Sequence, residues 1–211
     1  MGKDYGAVRT RAEARLGETR RAMRCISTSF LSGMAAACLM ASAAPAAEVE
    51  GVRFVERHQA GDALLRLQGV GLLRYRVVFK GYAAAFYLGE EVGPERVLED
   101  VPRRLEIAYF WSIPASALAQ ATRDALARNV DPETLARLRS RIERFNALYE
   151  DVEPNDRYSL TYLPGRGTEL ALNGAPLGVI EGADFSAALF AIWLGEKPLD
   201  ARLRAQLLAD R

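Results

Sequence analysis

From Ala47 onward this 211-residue chain contains no cysteine, because Cys25 and Cys38 both lie upstream. That rules out disulfide staples and thiolate chemistry for the downstream part, which is long enough to bury a core without them. Histidine is nearly as scarce. The only one, His58, sits among Glu56, Arg57 and Gln59, the setting of a surface residue. With no His/Cys grouping, a metal would have to rely on carboxylates alone. No nucleophile-elbow pattern accompanies the histidine, so nothing argues for a Ser-His-acid triad. Gly165-Arg166-Gly167 lacks the glycine spacing and the Lys-Ser/Thr of a phosphate loop, and no cofactor is expected. An excess of positive charge is missing too. Setting aside the 7 basic and 3 acidic residues up to Ala46 leaves 21 basic and 24 acidic, a net of −3. A mildly acidic chain without a basic run carries no electrostatic footprint for nucleic acid.

Residues 1–46 have a different character. Arg20, Arg21 and Arg24 precede an apolar, small-residue run over residues 26–44, which ends in Ala44-Pro45-Ala46. A basic flank, a short apolar core and a small-x-small site are the marks of a secretory signal peptide. The expected organisation is therefore a leader over 1–46, removed on export to the periplasm, and one domain over 47–211. Met23 is an alternative start, since residues 1–22 are charged, non-periodic and longer than such a flank needs. A retained membrane anchor is the competing reading, although the run is near the lower limit for a span and its alanines and serines are weakly apolar. No stable membrane span is expected once the leader is gone.

The mature chain alternates between two periodicities. Residues 50–73 are extended, with Gly61-Asp62 as a turn; 72–80 and 82–88 read as two more strands joined around Lys80-Gly81. Ala83-Ala84-Ala85 is unusually small for a strand, leaving either space above the sheet or room for close helix packing. Gly93-Pro94 opens a short helical segment ending near Val101, and residues 104–111 alternate as a strand. One helix starts at Pro114; a second starts at Asp131-Pro132-Glu133, a cap with Pro at the first helical position. Leu135, Leu138, Ile142, Phe145 and Leu148 form its core stripe. Arg139, Arg141 and Arg144 read as a solvated face, and Trp111 and Trp193 as core or cleft wall. Strands over 158–163, 168–172 and 178–180 follow, with Asn173-Gly174 as a hairpin signal. Helices over 183–194 and 200–208 close the chain. Hairpin-linked strands with two central and two terminal helices argue for an α+β fold, helices layered on an antiparallel sheet.

The richest stretch is 69–88, GVGLLRYRVVFKGYAAAFYL. It places Arg74 and Tyr82 on β-forming runs, where a guanidinium and a phenol could clamp a carboxylate or a polarised carbonyl. Taken alone, Arg74 is equally a solvated strand residue, sharing a face with Arg76, and Tyr82 a core aromatic with its hydroxyl satisfied. Lys80 reads as surface.

This stretch, together with Tyr162-Leu-Pro-Gly-Arg-Gly-Thr168 and the run from Gly178-Val-Ile-Glu-Gly-Ala-Asp-Phe185 through Ile192-Trp-Leu-Gly-Glu-Lys-Pro198, resembles the chalcone isomerase-like family. Secreted bacterial members match best, and the order of the three motifs carries the likeness. The resemblance implies an open-faced β-sandwich: a large antiparallel sheet, a helical layer, and a ligand cleft between them. It places Arg74 at the cleft arginine, Tyr82 where isomerases have threonine and fatty-acid binders tyrosine, and Ser186 at a specificity position. Isomerases also carry a catalytic tyrosine and, seven positions later, an asparagine on the first central helix. Counted from Pro114, those positions are Gln120 and Ala127, with Asn129 two residues out of register.

The departures favour a binder over an isomerase. The leading expectation is a periplasmic, non-catalytic protein holding a small amphipathic ligand, a fatty acid or an aromatic acid, through Arg74, Tyr82, Ser186 and Gln120. An isomerase or intramolecular lyase acting on an unsaturated carbonyl compound is the first alternative. An envelope structural or interaction protein is the second.

Overall fold

Short turn signals between β-forming runs produce a meander. The computed structural model describes residues 45–75 and 79–209. Residues 1–44, which hold both cysteines and all but the last two residues of the expected 1–46 leader, and Arg76 lie outside the described residues. Strands β1 (Pro45–Val49) and β2 (Val52–Val55) form a separate hairpin. A seven-stranded antiparallel sheet then runs in chain order: β3 (Arg57–Ala60), β4 (Ala63–Tyr75), β5 (Phe79–Gly89), β6 (Arg103–Tyr109), β7 (Arg157–Leu163), β8 (Gly167–Leu172) and β9 (Ala175–Ile180). Helices α1 (Ala115–Asn129) and α2 (Pro132–Asn146) are inserted between β6 and β7. Helices α3 (Ala183–Leu194) and α4 (Ala201–Leu207) follow β9.

Local chemistry explains the boundaries. The Asp131 carboxylate accepts a hydrogen bond from the Thr134 backbone N–H at 2.9 Å, with Pro132 at the first helical position of α2. Asn173 and Gly174 both adopt left-handed backbone (φ 51° and 83°), the requirement of a tight β8–β9 hairpin. The helical segment expected to reach Val101 is only a short 3₁₀ turn, Pro94–Arg96.

One connection differs from the sequence reading. β4 continues without interruption to Tyr75, and β5 already contains Lys80 and Gly81, so the turn does not lie at that pair. Instead Gly81 is a bulge. The register steps from Leu73 opposite Tyr82 to Arg74 opposite Lys80, leaving Gly81 unopposed.

Strand alternation divides the sheet into two faces. Tyr82, Ala84, Phe86 and Leu88 of β5 belong to the large core under the helices; Ala83, Ala85 and Tyr87 join Phe54 of the small hairpin on the other side. Ala83, Ala84 and Ala85 are wholly buried, so the small side chains serve close packing. On β4, Gly69 lets α4 rest on the strand backbone: a Cβ there would lie 2.3 Å from the Gln206 carbonyl oxygen. The sheet curls enough to bring its ends together. At Gly61, in the β3–β4 turn, a Cβ would lie 2.8 Å from the Arg166 guanidinium in the β7–β8 turn.

Two surface assignments also change. Arg141 is not merely solvated, because it grips Asp184 with two hydrogen bonds of 2.6 and 2.7 Å, pinning α2 to the start of α3. The hydrogen-bonded guanidinium holds the Asp184 carboxyl below its ordinary range. Trp111 is 56% exposed, its indole N–H donating to the Lys80 carbonyl at 2.6 Å, so it is neither core nor cleft wall.

Candidate functional site

The proposed clamp does not form. Leu73 packs against the helix-side core, opposite Tyr82, so its neighbour Arg74 points to the other side of the sheet. There Arg74 is exposed and pairs with Glu50, in the β1–β2 turn, at 3.2 Å. Lys80, moved to the same face by the bulge, reaches the other Glu50 oxygen at 2.6 Å. This double pairing, led by the Lys80 hydrogen bond, holds the Glu50 carboxyl below its ordinary range. The inward position two residues after Gly71 is thus filled by leucine, and the arginine comes one residue later.

Gln120, reached by the count from Pro114, does not face the interior either. It is exposed on α1, bonded to Asp124 and Arg123 on the same helix. Ala127 is exposed as well. The inward pair seven positions apart is Thr122 and Asn129. Thr122 is buried with its hydroxyl 3.0 Å from that of Tyr149, while the Asn129 amide donates to the carbonyls of Ala125 and Lys197 at 3.0 and 2.9 Å.

Tyr82 and Ser186 do face the interior, at different places. Tyr82 accepts a 2.8 Å hydrogen bond from the Trp193 indole N–H, and its ring meets Tyr109 edge-on at 5.8 Å. Tyr109, Tyr158 and Tyr149 continue the contact at 6.2 and 5.5 Å. Burial is the main influence on all four phenols and pushes them above their ordinary pKa, so at neutral pH they are uncharged. They are hydrogen-bonding groups and not bases.

Ser186, near the start of α3, is fully buried, and its hydroxyl accepts from Arg103 at 2.6 Å. Arg103 is the residue that sequence reasoning missed. It opens β6 in phase with Leu105, Ile107 and Tyr109, the side chains that line the helix-side core. Its guanidinium is wholly buried between the rings of Tyr162 and Phe190, 4.7 and 4.9 Å from their centroids. Further N–H groups donate to the carbonyls of Val97, at 3.0 Å, and Glu99. Its Nε–H has no partner. Among the described residues no carboxylate lies within ion-pair distance of it; Asp100 instead accepts from the Tyr162 hydroxyl. Desolvation pulls the Arg103 pKa down to about 10, against a smaller upward pull from Tyr162 and Asp100. Reading β6 from Arg104 hid this residue; starting the alternation one position earlier exposes it.

Four of the hollows formed by the described residues lie elsewhere. The largest, about 720 Å³, runs between α1 and α2 and is lined by Arg123, Leu135, Arg139 and Glu143. Two others, about 390 and 320 Å³, share Arg104 on the sheet face away from the helices. The fourth, about 170 Å³, is beside Pro102 and Pro164. None of these four is lined by Arg74, Tyr82, Gln120 or Ser186. Among the described residues no group of three or more His, Cys, Asp or Glu side chains converges where a metal ion could sit. No described helix is long and apolar enough to cross a membrane.

The family model described as chalcone isomerase-like matches residues 46–209. The chain belongs to the chalcone isomerase-like family. The crystal structure of a fatty-acid binding protein from Arabidopsis thaliana has the same fold, with a TM-score of 0.57 and 16% identity; the match covers 75% of this chain and 92% of that one. None of the curated proteins matches the sequence. For this chalcone isomerase-like chain, sheet, helical layer and meander order are therefore those of the open-faced sandwich that the motifs implied.

Proposed function

We propose that this protein is a non-catalytic binder of a small amphipathic acid, with Arg103 in the role that the family resemblance implied for Arg74. The observation that carries the reading is a sealed guanidinium with no counter-ion in reach and one N–H unpaired. Burying a cation without a counter-ion costs several kcal/mol, of which the neutral oxygens around Arg103 offset only part, and a carboxylate head group would relieve the rest. The head would displace the Val97 and Glu99 carbonyls, so entry goes with movement of the 94–101 segment. Tail burial would contribute about 0.8 kcal/mol per methylene and the arginine would fix orientation. The ligand class is a fatty acid or an aromatic acid, as the fatty-acid binding relative suggests.

An isomerase reading has less support. Gln120 and Ala127 face water, and the interior phenols are neutral. A structural envelope role has one observation in its favour: none of the four hollows opens between sheet and helices.

Native mass spectrometry of the purified protein, followed by calorimetry with lauric and cinnamic acids, decides between binder and structural protein. The binder reading expects one acid bound per chain and loss of that binding in Arg103→Met, a substitution that keeps the volume. No uptake of either acid, or equal uptake by the variant, would overturn it. We further propose export to the periplasm with removal of residues 1–46. N-terminal sequencing of periplasmic protein should then begin at Ala47, and recovery of an intact leader in a membrane fraction would contradict it.

A further inference from the structure

The hollow of about 390 Å³ on the sheet face away from the helices has the composition of a second binding site, separated from Arg103 by the sheet itself. Its floor is the β6–β7 pair. Arg104, with only 11% of its side chain exposed, donates to the Thr161 hydroxyl at 2.7 Å. Its Nε–H is buried without a partner. The carboxylate nearest to it, Glu106, lies 3.4 Å away and is bound more closely by Arg157, at 2.6 Å. Arg104 thus shares its one carboxylate with a second arginine.

The walls come from both ends of the curled sheet. His58 and Ala60 of β3 stand on one side; Arg166, from the β7–β8 turn, and Val179 of β9 stand on the other. Arg166 has no carboxylate partner among the described residues, and Glu169 is the only acid lining the hollow. Val179 is 50% exposed, an apolar surface beside two arginines. Two arginines lining one concave, partly apolar recess are suited to a carboxylate or phosphate carried on a small apolar body.

We propose that this recess binds a small organic anion, its head between Arg104 and Arg166 and its body against Val179. The site is independent of the Arg103 reading, because it uses the opposite face and different side chains.

Calorimetry of the mature protein with phenyl phosphate, benzoate and neutral benzyl alcohol tests it, with amide NMR to locate binding. At least one anion should bind, with shifts at Thr161 and Val179, and benzyl alcohol should not. Arg166→Gln, at an exposed turn, should weaken binding about tenfold, as expected for losing one charged contact of roughly 1.4 kcal/mol. Arg74→Gln should leave it unchanged. Binding of phenyl phosphate alone assigns a phosphate head; binding of benzoate alone assigns a carboxylate. The proposal is overturned if neither anion binds below roughly 10 mM, a threshold corresponding to under about 3 kcal/mol. Equal binding of benzyl alcohol, or of the Arg166→Gln variant, overturns it equally.

Discussion

Arg103 and Arg104 are neighbours in the chain, yet they occupy opposite environments. Arg103 is under the helices, wholly buried, and bonded to a hydroxyl and two carbonyls. Arg104 is on the other face, beside an open hollow, and shares Glu106 with Arg157. The two-residue period of a strand is enough to separate a costly charge from an inexpensive one. The helix side of this sheet tolerates a cation only with tailored neutral oxygens around it. The other side handles charge by pairing and partial hydration.

Substitutions can break this contrast. Arg103→Ala opens a cavity and orphans the Ser186 hydroxyl and two carbonyls, and should cost about 3–4 kcal/mol in urea unfolding. Arg104→Ala loses a partly screened pair and one hydrogen bond, about 1 kcal/mol. Equal losses at the two positions would remove the distinction. Arg103→Met, which fills the space, should lie between them.

Tyr82→Phe tests the same dry face. It leaves the Trp193 indole N–H unpaired in the core, a loss of about 1–2 kcal/mol by the same assay. An unchanged unfolding midpoint would mean that water reaches the indole.

His58 sharpens the comparison from the wet side. Burial, and then the nearby Arg104 charge, hold its pKa below 6.5, while Glu106 pulls the other way. The unfolded chain takes up a proton as pH falls through about 6.5 and the folded chain resists it. Stability that is full above that pH is therefore lost as pH drops. His58→Gln should flatten the stability profile between about pH 7 and pH 5. A steeper profile would reverse the sign assigned to its environment.

The smallest effect belongs to Arg74. Exposed pairs contribute little, so Arg74→Ala should cost at most about 0.5 kcal/mol in the same urea series. A loss matching that of Tyr82→Phe would show the two residues coupled after all.

Much of the fold was legible from local signals. The Asp131-Pro132 cap, the Asn173-Gly174 turn and the apolar 183–194 run each have a short-range physical cause, and each forms where its residues indicate. Facing was harder. Arg74 and Tyr82 are eight residues apart in the chain, and their relative side is set by the pairing register, Leu73 opposite Tyr82, which no local signal announces; the bulge at Gly81 decides only the side of Lys80. Lys80-Gly81 looks like a turn because glycine suits both turns and bulges. Ser186 lies in the interior, and its partner Arg103 comes from a strand more than eighty residues earlier, a pairing that no local pattern signals. Helix α1 shows the same difficulty: the count from Pro114 reaches Gln120, which faces water, while Thr122 two residues later is in the core.

The step from Gly71 to Arg74 carries an evolutionary consequence. Loss of a single codon between them would swing the guanidinium through the β-layer, to stand across from the Tyr82 phenol and beneath the helices. Insertions and deletions in this strand are thus not neutral length changes. They act as a toggle, and one such event, at the loss of a leucine, would turn a surface cation into a buried one.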